Sequence, residues 1–205
     1  MCPRGAAAQD RCVATCIGPP TGALVLAGGG RLESAIYRSF VELAGGSEAR
    51  IVVIPTATSD KGLPLDWPGV KPFRDAGAMW VTVLHTRYSD VANTEDFVQP
   101  LRQATGVWIE GGRPWRLVEA YLGTLTEDEL HLLLARGGVI GGTSAGASMM
   151  ASFLLRGDVK GNDIVWSPEY QEGFGFLRGV AVDQHLLARE READMFQVLR
   201  QNPEL

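Results

Sequence analysis

The chain has 205 residues, of which 45% are hydrophobic and 21% are charged, a composition typical of a single globular domain of about 100–200 residues. Its 19 basic and 24 acidic residues give a net charge of −5. That balance argues against a nucleic-acid-binding protein, because such proteins usually carry a basic face. No apolar run approaches the roughly eighteen residues that a transmembrane helix needs. We therefore expect neither nucleic acid nor a membrane as a partner.

The N-terminal residues predict a leader rather than a site. Cys2, Cys12 and Cys16 are odd in number and all precede the first core pattern. They therefore indicate neither a disulfide framework nor, without a neighbouring histidine, a zinc site. The same segment lacks the continuous apolar centre of a secretory signal. We interpret residues 1–21 as a flexible leader and expect a cytoplasmic protein.

Beyond Gly22, short apolar runs alternate with helical patterns. In chain order, they predict a strand over residues 23–26, a helix over 33–44, strands over 51–54, 79–84 and 107–109, a helix over 126–136 and a strand over 138–141. Apolar strands separated by helices are typical of a parallel sheet covered on both faces. The sequence thus predicts one α/β domain over residues 22–205, with a doubly wound, mostly parallel, flavodoxin-like sheet and helices on both faces.

Glycine clusters follow three of these strands, at residues 28–30, 111–112 and 141–142. In open α/β sheets ligands bind beyond the carboxyl ends of the strands, so these glycines indicate where the site lies. Neither a G-x-G-x-x-G fingerprint nor a phosphate-binding loop motif is present. We therefore expect no nucleotide cofactor.

Residues 142–146 read Gly-Thr-Ser-Ala-Gly directly after the last predicted strand. A G-x-S-x-G pattern between a strand and a helix is typical of a nucleophile elbow, which makes Ser144 the candidate nucleophile. The backbone N–H of Ala145 is then a candidate oxyanion donor. The alternative is a glycine-rich loop whose serine only caps the helix.

A serine nucleophile requires a base, and the chain has three histidines. His185 is the first candidate because it follows a short apolar run, and His85, which closes a predicted strand, is the second. His131 belongs to an amphipathic helix, where we expect it to be solvated. The residue pattern leaves the orienting carboxylate open among Asp158, Asp163, Glu169, Glu172 and Asp183.

Residues 141–148 (Gly-Gly-Thr-Ser-Ala-Gly-Ala-Ser), together with residues 183–185 (Asp-Gln-His), resemble the cyanophycinase family. Its members are serine peptidases related in fold to aspartyl dipeptidase (peptidase E) and to class I glutamine amidotransferases. The resemblance extends from about residue 22 to the end of the chain. It implies that Ser144 is the nucleophile and His185 the general base.

The resemblance also implies a choice of carboxylate. In the aspartyl dipeptidase relatives an Asn-Asp pair downstream of the serine supplies it, and Asn162-Asp163 is similar in kind and position. Asp163 is therefore the first choice, and Asp158 and Glu172 stay open.

Further implied roles concern the substrate. By resemblance, Gly112 supplies the second oxyanion donor, and Asp183, Arg189 and Arg191 match residues that hold charged substrate. We expect Arg113 to bind substrate carboxylates as well. Two departures from the family's sequence pattern affect the expected substrate specificity. Arg113-Pro114 stands where the family has Asp-Gln, and Asp194 stands where it has arginine.

The expected activity is hydrolysis of an amide bond in Asp-containing, β-Asp-Arg-like peptides through a Ser-His-Asp triad and an acyl-enzyme. The resemblance implies no metal or organic cofactor, and it implies a homodimer. The alternatives are an esterase of the α/β-hydrolase type and a catalytically silent binding protein of this fold. A glutamine amidotransferase is disfavoured because its nucleophile is a cysteine, and none follows Cys16. Because the relatives continue into further strands, we expect the domain to be truncated at its C-terminus.

Overall fold

The computed structural model describes residues 17–58 and 67–205. Its central sheet has the strand order β1-β5-β4-β2-β3, and every neighbouring pair is parallel. The strands are β1 (Ala23–Ala27), β2 (Arg50–Ile54), β3 (Trp80–Val83), β4 (Gly106–Ile109) and β5 (Val139–Thr143). Each of the five predicted strands overlaps an observed one, and the predicted doubly wound α/β fold is confirmed.

Helices cover both faces of this sheet, as the alternation of β4 shows. Trp108 packs on one face in an aromatic cluster with Phe40 and Phe73, whereas Val107 and Ile109 belong to the apolar core on the other face. The helices are α1 (Ser34–Leu43), α2 (Lys71–Asp75), α3 (Ser89–Ala92), α4 (Glu95–Gln103), α5 (Pro114–Tyr121), α6 (Leu125–Ala135), α7 (Ala145–Ser148) and α8 (Asp194–Gln201).

A small second sheet brings the last predicted site residues back to the first sheet. Strand β6 (Ala151–Phe153) follows α7 and pairs in parallel with β7 (Leu177–Ala181). Residues 183–185 leave β7 directly, and the backbone N–H of His185 donates to the carbonyl oxygen of Gly28 at 2.7 Å. The C-terminal part of the chain is thereby bound at the carboxyl end of β1.

Among residues 17–58 and 67–205, no helix is long and apolar enough to cross a membrane. Nor does this described part of the chain contain a group of three or more His, Cys, Asp or Glu side chains placed to hold a metal ion. The three cysteines lie outside the described residues, as does most of the predicted leader.

Candidate active site

Ser144 lies on a strained turn between β5 and α7. Its φ is 52° and its ψ is −115°, a left-handed backbone conformation that residues with a side chain rarely adopt. The backbone N–H of Ser144 donates to the carbonyl oxygen of Ala27 at 2.9 Å, which ties the turn to β1. The local geometry is that of a nucleophile elbow.

The two glycines that flank this serine are required by close packing. A Cβ atom added to Gly146 would lie 2.1 Å from the carbonyl oxygen of Ile109 in β4. One added to Gly142 would lie 2.7 Å from the carbonyl carbon of Gly146. Helix α7 therefore packs directly against the sheet, and larger residues at either position would displace it and Ser144.

His185 is the histidine that reaches the serine. Its Nε2 atom lies 3.0 Å from the Oγ of Ser144, within hydrogen-bond distance. The imidazole packs over Gly29, where an added Cβ would lie 2.4 Å from His185 Cε1. The glycine cluster after β1 thus leaves room for this ring. The other candidate base, His85, has its Nδ1 2.9 Å from the Oγ1 of Thr56.

Gln184 contacts the serine from a second direction. The Oγ of Ser144 donates to the Oε1 of Gln184 at 2.7 Å, and the Gln184 side chain is fully buried. Its Nε2 is buried without a hydrogen-bond partner. The serine oxygen therefore has two neighbours from one loop, a base and an amide.

The loop after β4 passes beside the nucleophile. A Cβ added to Gly111 would lie 3.0 Å from the Cβ of Ser144. At Gly112 φ is +146°, and an added Cβ would lie 1.9 Å from the carbonyl oxygen of Ala57. The next residue, Arg113, donates its backbone N–H to that same oxygen at 2.8 Å. Only glycine fits at position 112.

These elements surround a cleft of about 490 Å³. Among the described residues that line it, three are arginines and none is acidic. A concave, cationic site of this kind attracts anionic ligands and raises their local concentration. The lining residues are Ala57, Gly112, Arg113, Arg116, Ser144, Asn162, His185 and Arg189.

Comparison with known proteins decides the family. Residues 24–205 match the family model described as peptidase family S51. The chain belongs to peptidase family S51. It is similar to a cyanophycinase of Geminocystis herdmanii, with 30% identity over 175 residues that cover 82% of this chain and 62% of that protein. It is also similar to a cyanophycinase of Nostoc, with 28% identity covering 82% and 57% of the two chains.

This S51 chain therefore spans about three fifths of the length of the curated relatives it matches. Among solved structures, a peptidase from an acI-B1 Actinobacterium is similar, with a TM-score of 0.65 and 22% sequence identity. The match covers 89% of this chain and 75% of that one. At this level of identity the likeness shows the S51 fold alone.

Two of the predicted substrate-binding residues are engaged within the S51 fold instead. Asp183, 3% exposed at its side chain, is paired with the guanidinium of Arg156. Arg191 is also buried and donates to the backbone oxygens of Gln184 at 3.0 Å and Asn162 at 2.9 Å. The expectation that both face substrate is wrong for this structure, because their charged groups already bind protein atoms.

Arg113 and Arg189, by contrast, line the cleft. Arg113 Nη1 donates to the Oδ1 of Asn162 at 2.8 Å, and both groups are at the rim of the cleft. Arg116 adds a third guanidinium from the next turn of α5, where it binds the carbonyl oxygens of Ala57 and Thr58.

The structure does not bring Asp163 to His185. The Asp163 carboxylate is fully exposed and lies 3.6 Å from Arg191, because this segment is held through backbone oxygens and its side chain faces solvent. The two alternatives also lie elsewhere. The side chain of Asp158 accepts a hydrogen bond from the backbone N–H of Lys160. Glu172 pairs through its backbone with Phe153 in an isolated β-bridge. Within the described residues, the hydrogen bonds join none of the three to the base.

The surroundings of His185 favour its neutral form. Partial burial lowers the pKa of its imidazole below the ordinary value of 6.5, and the positive charges of Arg189 and Arg191 lower it further. Asp183 opposes this shift. A neutral imidazole can accept a proton at neutral pH, as a general base must.

A second perturbed group precedes the glycine loop. Glu110 follows β4 directly, and burial raises the pKa of its carboxyl to about 7. Its side chain lies beside Trp67 and Gly69, because a Cβ added to Gly69 would lie 3.1 Å from the Oε1 of Glu110. The Nε1 of Trp67 is also buried, and no atom of the described residues accepts a hydrogen bond from it.

Three residues of the site were not among the predicted site residues. Gln184 stood within the motif that carried the resemblance, and only the fold shows that its side chain reaches Ser144. Arg116 could have been found from its helical spacing, since it lies three residues after Arg113. Asn162 had been considered only as the neighbour of Asp163.

Proposed function

We propose that this chain is a serine peptidase that hydrolyses an amide bond in Asp-containing peptides through an acyl-enzyme on Ser144. The observation that carries the proposal is the 3.0 Å contact between Ser144 Oγ and His185 Nε2, at a strained elbow inside an arginine-lined cleft. Membership of peptidase family S51 supports the same reaction class.

The reaction follows from these groups. The hydroxyl of Ser144, which donates to Gln184 Oε1 in the structure, turns its proton to His185 Nε2, and the imidazole takes it while the oxygen attacks the substrate carbonyl carbon. The backbone N–H groups of Ala145 and Gly112 stabilise the negative charge that develops on the carbonyl oxygen. His185 then gives its proton to the departing amine. Water, deprotonated by the same imidazole, releases the acyl group and regenerates the serine.

The cleft supports an acidic substrate. Arg113 and Arg189 line the cleft with guanidinium groups, which bind carboxylates in a two-pronged geometry. An aspartyl side chain or a peptide C-terminus supplies such a carboxylate. Asp183, which would meet a substrate guanidinium, is already paired with Arg156. We therefore expect β-Asp-Asp, which carries three carboxylates, to be a better substrate than β-Asp-Arg, which carries two carboxylates and a guanidinium.

The test measures two quantities on the wild type and on Ser144→Ala. The first is covalent labelling by a fluorophosphonate, and the second is release of free amino acids from β-Asp-Arg, β-Asp-Asp, Asp-Asp and Ala-Ala dipeptides. We expect labelling and Asp-peptide hydrolysis in the wild type, and neither in the variant. Labelling with turnover of simple esters but no peptide would favour the esterase alternative. Absence of labelling in folded protein would refute the proposal and favour a silent binding protein.

A further inference from the structure

Arg156 is a buried cation that lies outside the cleft. Its side chain is 1% exposed, and its φ of +62° is in the left-handed region that residues with a Cβ rarely adopt. Its backbone N–H donates to the carbonyl oxygen of Val165 at 2.8 Å. A buried guanidinium is stable where its charge and its donors are matched by partners. The partners of Arg156 therefore indicate why it is held there.

Two carboxylates match that charge. The guanidinium binds Asp183 with two hydrogen bonds, from Nε to Oδ1 at 3.1 Å and from Nη2 to Oδ2 at 2.7 Å. Nη2 also donates to the Oδ2 of Asp194, in α8, at 2.6 Å. Such a two-pronged contact fixes the orientation of a carboxylate, which a lysine ammonium cannot do.

Asp183 in turn binds the loop that carries Gln184 and His185. The Oδ1 of Asp183 also accepts the backbone N–H of Gln184 at 2.8 Å. On the other side of that residue, Arg191 donates to the Gln184 carbonyl oxygen at 3.0 Å. Asp183, which Arg156 orients, and Arg191 thus fix the backbone N–H and the carbonyl oxygen of Gln184. The next residue, His185, has a φ of +53°, a conformation that the surrounding contacts must impose.

Both side chains that touch the nucleophile therefore depend on this segment. Gln184 and His185 reach Ser144 Oγ at 2.7 Å and 3.0 Å, and neither contacts Arg156 itself. Arg156 Nη1 also approaches the carbonyl oxygens of Asn162 and Asp163, at 3.5 Å each. The same guanidinium thus joins one wall of the cleft to the loop that carries the base.

We propose that Arg156 is a positioning residue: by orienting Asp183, and through it Gln184, it holds the imidazole of His185 at the distance from Ser144 that proton transfer requires. This inference rests on the proposed function, in which His185 is the base. Arg156 touches none of the reacting atoms and is not among the described residues that line the cleft.

Arg156→Lys is the first test, because it keeps the charge and loses the two-pronged contact. A displacement of about 1 Å at a reacting group costs on the order of 100-fold in rate. We therefore expect the maximal rate of fluorophosphonate labelling of Ser144 to fall at least about tenfold, with little change in the probe concentration that gives half-maximal rate. Asp194→Asn is the matched control. It removes the negative charge from the contact to α8 and leaves Asp183 and Gln184 unchanged, and we expect labelling within about twofold of the wild type.

Arg156→Gln supplies a readout that loss of stability alone would not change. The charged groups that face His185 are Arg189, Arg191 and Asp183. Removing the partner of Asp183 leaves its negative charge uncompensated, so the pKa of His185 should rise. The measurement is an NMR titration of the His185 Cε1–H signal, assigned by its loss in His185→Gln.

The outcomes separate the two proposals. If the wild type does not label, the proposed function fails, and the His185 titration still decides the role of Arg156. The positioning role would be overturned if folded Arg156→Lys labelled at the wild-type maximal rate. It would also be overturned if the pKa of His185 were unchanged in folded Arg156→Gln. If the glutamine variant does not fold, the rate measured for the lysine variant decides.

Discussion

Glu110 should make the stability of this protein fall as the pH rises through neutrality. Burial raises the pKa of its carboxyl from 4.5 to about 7. When the pH lies between these two pKa values, the folded protein binds the proton more tightly than the unfolded chain does. The free energy of unfolding therefore decreases with increasing pH over this range. A difference of about 2.5 pKa units corresponds to roughly 3 kcal/mol once the pH exceeds the folded value. Glu110→Gln removes this ionisation, and its stability relative to the wild type should increase over the same range.

Urea unfolding at pH 5, 6, 7 and 8 measures the effect directly. We expect the free energy of unfolding of Glu110→Gln, minus that of the wild type, to increase by up to about 3 kcal/mol from the lowest to the highest pH. Glu42→Gln is the matched control, because it removes a carboxyl group that is exposed on α1, and the increase for Glu110→Gln should exceed any change measured for this control. An increase no larger than that of the control would refute the argument that burial holds the proton on the Glu110 carboxyl.

Three further predictions concern the site. Gly29→Ala places a Cβ 2.4 Å from His185 Cε1, so fluorophosphonate labelling should fall about 100-fold as the ring is displaced; unchanged labelling would contradict the packing argument. Gly112→Ala, whose Cβ would lie 1.9 Å from the Ala57 oxygen, should lower kcat by about 10²–10³, as steady-state peptide hydrolysis would show. Because the pKa of His185 is lowered, the rate of Ser144 labelling plotted against pH should have its midpoint below 6.5, and a midpoint above that value would contradict the lowered pKa.

Much of the fold could be predicted because its strands are continuous apolar runs. The runs at residues 51–54 and 107–109 are fully buried in the structure, as a sheet covered on both faces requires. Helix α4 was not predicted, since Pro100 lies in its interior, where proline normally ends a helix. The Oγ1 of Thr94, which accepts the backbone N–H of Phe97, helps to begin this helix nevertheless.

The site could be predicted in part for a similar reason. Ser144 and His185 belong to short strings whose local geometry depends on neighbouring residues, and the structure places the two side chains together. The assignments of Asp163 and Asp183 instead depended on which way a side chain points. That direction is set by two arginines that are distant in sequence from the groups they bind. Arg156 binds the carboxylate of Asp183, and Arg191 binds the backbone oxygen of Asn162. The order of charged residues along the sequence does not show which of them pair in the folded protein.

The hydrogen bond from His185 to Gly28 joins the two ends of the described chain. Contacts between residues so far apart in sequence form late in folding, because the entropy of closing a long loop must first be overcome. During synthesis from the N-terminus, Ser144 emerges from the ribosome before the imidazole that it contacts has been made. In a nascent chain Ser144 therefore has no imidazole beside it, and its contact with His185 forms only when β1 and the segment after β7 have met.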